Sequence, residues 1–146
     1  MPQKPKSKLP QTQFARLKVS VSPRVNRELI VNPSDSLYKL ANHITDAFGF
    51  YFDHAFGFHE SEDVYSTMSK KYTLFADEDK DDIDEDELSV KKNRVKTLID
   101  QQPTWFFHFD YGDDWLFKVD FLGFEDTNVK SGTVIKNVGK APKQYS

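Results

Sequence analysis

The chain has 146 residues and no cysteine, which excludes disulfides, thiolate metal ligands and a cysteine nucleophile. Its net charge of −3 hides a split: Asp77 to Glu87 holds nine acids and one lysine, and removing that local −8 leaves +5 on the remainder. Aromatic residues make up 14%, with 13 Phe, so one domain around a Phe-rich core is expected, and no apolar run is long enough to span a bilayer.

Residues 1–13 read as a disordered basic arm, rich in Pro, Lys and Gln with nothing to bury. They lack the apolar stretch of a signal peptide, so a cytoplasmic address is expected, with no membrane contact. A single domain is expected over 14–146. Ala15 to Val21 alternates apolar with polar, the pattern of a half-buried strand. Ser22-Pro23 breaks it, and Val25 to Val31 reads as an antiparallel partner. Leu37, Leu40, Ala41, Ile44, Ala47 and Phe48 then fall at helical spacing and make one apolar stripe. Ser34, Asp35 and Ser36 offer oxygens to the free amides of the first turn, and Gly49 suits the left-handed residue that ends a helix.

His54 to His59 reads as a strand with His54, Phe56 and Phe58 on one face, and Tyr72 to Phe75 as another short strand. The acidic segment 77–87 is expected to be a solvated loop, held open by repulsion. Leu88 to Ile99 reads as a short helix with Val95, Leu98 and Ile99 inward, and Val134, Ile135 and Val138 as a last edge strand. The expected fold class is α+β: an antiparallel, mostly β sheet whose aromatic face packs on one main helix and one shorter helix.

Trp105, Phe107, Phe109 and Tyr111 alternate on one strand, and Trp115, Phe117, Val119 and Phe121 on the next. The parity of the connecting loop decides whether the two sets share a face. An even loop splits them, whereas a three-residue loop, Gly112-Asp113-Asp114, sets Tyr111 opposite Trp115 and gathers all eight on one side. An odd loop is expected, because cross-strand aromatic pairs then stabilise each other. The opposite face carries Phe106, His108 and Asp110 against Leu116, Lys118 and Asp120, and is semi-polar.

The segment from Phe107 to Trp115 is also the one compact set of residues able to do chemistry. Asp110, Asp113 and Asp114 together offer carboxylates that suit a hard divalent cation, and His54 or His108 would extend the set towards a transition metal. Asp side chains in tight turns more often accept backbone amides, however, and strand alternation points Asp110 away from Tyr111. A metal is therefore not expected, and no other cofactor signature is present. The acidic run fails as an EF-hand, since with Glu87 in the last position Asp81 would occupy the glycine position. Basic residues such as Arg16, Lys18, Arg24, Lys91 and Lys92 are scattered, which favours an ordinary charged surface over a nucleic-acid footprint. No P-loop, dinucleotide fingerprint, nucleophile elbow or HExxH occurs.

Phe48-Gly49-Phe50 closing the first helix, His54 after it, and Phe109-Asp110-Tyr111-Gly112-Asp113-Asp114-Trp115 resemble the plasmid pRi ORF-3-like family. Its members carry Phe-Gly-Trp, a following His and Tyr-Asp-Phe-Gly-Asp-Asp-Trp at the matching places. Gly139 to Tyr145 is similar to the Gly/Pro segment near their ends, so the resemblance runs from about Phe14 to Tyr145. It implies an α+β domain with no assigned activity, in a family with some plasmid and insertion-element passengers, and it supplies no catalytic residues. The chain departs from the pattern at Phe50, where Trp is usual, and in its acidic insertion.

Two functional expectations follow. The first is a non-catalytic binding domain, with a groove near His54, His108, Asp110, Gly112, Asp113, Asp114 and Trp115 that takes a protein or nucleic-acid partner. The second is a metal-dependent hydrolase or nuclease that uses the same carboxylates with a histidine.

Overall fold

The structure, a computed structural model, describes residues 13–78 and 87–145. The basic arm up to residue 12 and positions 79–86 of the acidic segment lie outside the described residues. The chain forms β1 (Gln13–Ser22), β2 (Val25–Val31), α1 (Leu37–Ala47), β3 (Phe56–His59), β4 (Lys71–Thr73), the single turn α2 (Phe75–Glu78) and β5 (Glu87–Ser89). It continues with α3 (Val95–Ile99), β6 (Thr104–Phe109), β7 (Trp115–Asp126) and β8 (Thr133–Val138). All eight strands join one sheet in the order β5-β4-β3-β6-β7-β1-β2-β8. Among the described residues no helix is long and apolar enough to cross a membrane.

The α+β class, the first hairpin, α1 and the edge strand β8 follow the expectations above. Ser36 caps α1, its Oγ accepting from Lys39 N at 3.0 Å, and Gly49 ends the helix with φ +73°. Several details differ, among them the third strand, which begins at Phe56 and leaves His54 and Ala55 ahead of it. The sheet is mixed, because β4 and β5 run parallel. Parallel neighbours need a crossover, and α2 lies in the connection that supplies it. Phe75 opens that helix rather than extending the strand, and Leu88 lies in β5, so the following helix is limited to Val95–Ile99. Asp77 accounts for this locally. Its carboxylate accepts from Ser89 Oγ at 2.5 Å and from the amides of Val90 and Lys91 at 3.1 and 3.3 Å. One acid of the run is thereby a structural anchor.

One face of the sheet meets α1 and forms the core. Ala15, Leu17 and Val19 of β1, Leu29 and Val31 of β2, and Phe56 and Phe58 of β3 are buried against Leu37, Leu40 and Ile44 of the helix. Trp105, Phe107 and Phe109 of β6 and Phe117 and Val119 of β7 complete it. Phe107 lies at the centre, with ring centroids 4.9 to 6.0 Å from those of Phe56, Phe58, Phe109 and Phe117. Burial of each such ring contributes roughly 1.5–3 kcal/mol.

The β6–β7 hairpin pairs Phe109 with Trp115, Phe107 with Phe117 and Trp105 with Val119. The loop is therefore odd, as the alternation requires, but it holds five residues, 110–114, and not three. Tyr111 leaves the strand, and Phe121 pairs with Leu17 of β1 instead. The longer loop is closed by Asp110 and Asp114, both left-handed at φ 64° and 52°. Asp114 N donates to Asp110 O at 2.6 Å, while Asp110 Oδ1 accepts from Gly112 N at 3.1 Å and Asp113 N at 3.3 Å. Asp is one of the few residues that adopt this conformation readily, because its side chain bonds its own turn.

Candidate functional site

Alternation sends Phe106 and His108 of β6, Gly57 and His59 of β3, and Lys71 and Thr73 of β4 to the face away from α1. Gly57 lies beside His108 on one side and Thr73 on the other. A Cβ there would stand 3.0 Å from His59 Nε2, 3.0 Å from Thr73 Cγ2 and 3.1 Å from Tyr72 O. Only glycine lets the His59 imidazole and the Thr73 methyl group settle this closely on the strand, and a glycine inside a strand commonly marks a close approach.

On this face the side chains form a ring-lined cavity of about 180 Å³, bounded by His59, Val64, Tyr65, Lys71, Thr73, Phe75, Glu87, His108 and Tyr111. Tyr111, freed from the strand by the five-residue loop, stacks on His108 with centroids 4.5 Å apart and planes at 16°. Phe75 packs on Tyr111 at 5.2 Å, and Tyr65, from the loop joining β3 to β4, meets His108 edge-on at 5.5 Å. His108 Nε2 lies 2.6 Å from Asp114 Oδ1, and the Tyr65 hydroxyl donates to the same carboxylate oxygen. These two bonds hold the Asp114 carboxyl below the usual carboxylate range, Tyr65 contributing most. The bond to Asp114 in turn raises the Tyr65 phenol, and burial raises that of Tyr111.

His59 is the anomaly in this cavity. Its side chain is 3% exposed, and neither Nδ1 nor Nε2 has a hydrogen-bond partner among the described residues. Burial, with smaller contributions from nearby His108 and Lys71, pushes its pKa from 6.5 down to about 4. The imidazole is therefore neutral at pH 7, with one donor and one acceptor unsatisfied. Buried polar groups without partners are rare, and each calls for an explanation such as a ligand or water.

A second cluster lies on the segment leading into β3. His54 Nε2 is 2.9 Å from Tyr145 Oη, 3.3 Å from Asp110 Oδ2 and 3.4 Å from Asp53 Oδ1. Tyr145 donates to Asp53 Oδ2 at 2.7 Å, which pushes its phenol up to about 12. The His54 ring meets Phe109 edge-on at 5.9 Å, so it belongs to the margin of the core face.

The seven residues expected to share a groove are thus divided between two clusters. His108 lines the ring-lined cavity, with Asp114 bonded to it from outside that lining, and His54 and Asp110 belong to the second cluster. Gly112 and Asp113 lie in the loop between them. Trp115 turns inward onto Phe50, centroids 4.9 Å apart, with its indole N–H buried and unpartnered among the described residues. The three carboxylates do not converge: Asp110 binds its own loop and His54, while Asp114 binds His108 and Tyr65. Among the described residues no group of three or more His, Asp or Glu is placed to hold a metal ion. Sequence reasoning missed His59, Tyr65, Lys71, Thr73, Phe75 and Glu87. Parity would have found His59 and Gly57, because Phe56 and Phe58 facing the core force both to the face that carries His108.

Among solved structures, the chain is similar to the crystal structure of MM3350, a protein of unknown function from Methanosarcina mazei Go1. The two share 18% identity and a TM-score of 0.71 over 92% of this chain and 74% of that one, a likeness of fold. No curated protein matches the chain. A family model described as plasmid pRiA4b ORF-3-like protein matches residues 13–144, which span all eight strands, the helices and all four histidines. The chain therefore belongs to the plasmid pRiA4b ORF-3-like family.

Proposed function

We propose that this protein is a non-catalytic binding domain whose recognition site is the ring-lined cavity around His59, Tyr65, His108 and Tyr111. The observation that carries this reading is the concave cluster of rings, Tyr111 stacked on His108 with Phe75 and Tyr65 against them, beside a buried His59 imidazole that has no hydrogen-bond partner among the described residues. Such a concave site, mostly aromatic with a few convergent polar groups, has the make-up of a ligand pocket. The arrangement of the acids supports binding over hydrolysis. A metal-assisted mechanism needs carboxylates free to converge on one ion. Here Asp110 holds the hairpin loop closed and Asp114 is shared by His108 and Tyr65, so recruiting either disturbs existing structure.

The test is an assay of the purified full chain against a phosphodiester reporter and single-stranded DNA and RNA, with Mg²⁺, Mn²⁺ and Zn²⁺ each added in excess. The expected result is no turnover above the protein-free control under any condition. Hydrolysis that requires a divalent ion and falls by an order of magnitude or more in Asp114→Asn would overturn the binding reading in favour of the metal-dependent enzyme.

A further inference from the structure

We propose that residues 61–69, the excursion between β3 and β4, form a hinged lid on the ring-lined cavity, with Tyr65 as its latch. The proposal rests on the reading of this cavity as a binding site and adds how access to it is controlled.

The lid is defined by its neck. Beyond the last pair of the β3–β4 ladder, His59 with Lys71, Glu60 N donates to Lys70 O at 3.0 Å and Lys70 N to Glu60 Oε1 at 2.7 Å. Gln102 Nε2 donates to Glu60 O at 2.9 Å, and Lys70 Nζ to Gln101 Oε1 at 2.6 Å. Both ends of the excursion are thus fixed side by side to the body. A compact loop whose ends meet in this way moves as a unit about its neck.

Between those ends the bonds turn back on the loop itself. Asp63 N donates to Ser61 Oγ, Tyr65 N to Asp63 Oδ1, Ser66 N to Asp63 O and Met68 N to Ser66 Oγ. Among the described residues, one hydrogen bond joins 61–69 to the rest of the protein, from the Tyr65 hydroxyl to Asp114 Oδ1. Apolar anchoring is equally thin. No residue of the loop is buried, and Tyr65 and Met68 are 67% and 90% exposed. Segments with so few buried contacts and so few bonds to the body open locally, well before the sheet unfolds.

Tyr65 stands where opening has the most effect. Its ring meets His108 edge-on at 5.5 Å. The cavity shares Val64, Tyr65 and His108 with a neighbouring depression bounded by Glu62, Asp63, Asp114 and Leu116, so Tyr65 is a wall common to both. Swinging the loop outward removes that wall and joins the two into one trough running from Phe75 and Tyr111 to Leu116. Loops that shut in this way sequester a site and set the rate of entry to it. Asp114, which receives the latch, belongs to the five-residue hairpin loop and also holds His108 Nε2 at 2.6 Å. The loop that frees Tyr111 for the cavity therefore also supplies the acid that closes the lid.

The chain has no cysteine, so a thiol placed in the lining reports access without background. The experiment measures iodoacetamide labelling of Thr73→Cys in the full chain, alone and combined with Tyr65→Phe or Tyr65→Ala. Thr73 lines the cavity and is 2% exposed, and Ala41→Cys, in the core beneath α1, serves as the reference. Thr73→Cys should label faster than Ala41→Cys but at least about tenfold slower than the same thiol in urea-unfolded chain. Tyr65→Phe keeps the ring and loses the hydroxyl; it should speed Thr73→Cys labelling roughly three- to tenfold, a modest gain because water competes at an exposed bond. Tyr65→Ala, which also loses the edge contact with His108, should speed it further. Neither should change the rate at Ala41→Cys. Equal Thr73→Cys rates with and without the Tyr65 substitutions overturn the lid. Equal acceleration at Ala41→Cys overturns it too, since 61–69 would then belong to the cooperative core. Where Thr73→Cys disturbs the sheet by circular dichroism, Lys71→Cys in the same lining takes its place with the same two outcomes. Labelling needs no ligand, so a failed lid leaves the binding domain standing, whereas metal-dependent hydrolysis in the reporter assay removes the binding reading and leaves the measured motion.

Discussion

The buried imidazole of His59, without a hydrogen-bond partner among the described residues, gives the protein a specific liability to acid. In the unfolded chain this imidazole titrates near 6.5, and in the folded protein only at about 4. Unfolding therefore takes up a proton between these values. Stability from this group is fully present above about pH 6.5 and is lost as pH falls towards 4, a contribution on the order of 3 kcal/mol for a shift of this size. Asp35 and Asp114, both held below the ordinary carboxylate value, add their own losses only at lower pH. Urea unfolding at pH 7 and at pH 4.5 should show a clear drop for the native chain, and His59→Phe should flatten most of it. An unchanged pH difference in the variant would mean that His59 is not the titrating group. The residue was legible in the chain through parity alone. Its neighbours were not, because Tyr65 reaches His108 from a loop with no periodicity, and Glu87 sits in a segment whose composition reads as solvated.

The β6–β7 connection shows how far alternation reads at the level of an element. The two aromatic series fixed the parity of the loop, since an even count would have turned half of the rings outward. They left its length open, for three and five residues satisfy them equally. Length is decided by Asp110 and Asp114 in left-handed conformations and by the Asp110 carboxylate bound to the Gly112 and Asp113 amides, features that periodicity does not encode. The choice has a consequence for the site, because it releases Tyr111 from the core strand to stack on His108. Asp110→Ala removes both amide acceptors and places Ala at φ 64°. It should cost about 1–3 kcal/mol by urea unfolding, from the unpaired amides and the left-handed penalty together. Asp110→Asn retains an acceptor and a residue that tolerates this backbone, so it should recover most of the loss. Equal costs for the two variants would show that the contact with His54, and not the loop, is what Asp110 supplies.

On the scale of the whole molecule, the core and the tail are held by different physics, and only the first is visible as a sequence pattern. The apolar periodicities of β1, β2, α1 and β6–β7 specify the buried face. The described chain beyond β8 has few apolar residues and is fastened by directional bonds. Arg27 donates to the carbonyls of Val138 and Gly139 at 3.1 and 3.0 Å while lying 5.1 Å from the centre of the Phe48 ring. Gln144, buried despite its amide, accepts from Tyr51 N at 2.7 Å and donates to Tyr51 O at 3.1 Å and Asp53 Oδ1 at 3.3 Å. These bonds span more than ninety residues of sequence and secure the segment carrying His54. Gln144→Ala leaves the amide and carbonyl of Tyr51 without those partners, which should cost about 1–3 kcal/mol. Because the lost bonds are local to one margin of the fold, the effect should be concentrated there. Hydrogen exchange at residues 50–55 should accelerate by an order of magnitude or more, with the amides of β1, β2 and β7 affected only through the global change in stability. Uniform acceleration across the sheet would instead make the tail an integral part of the cooperative core.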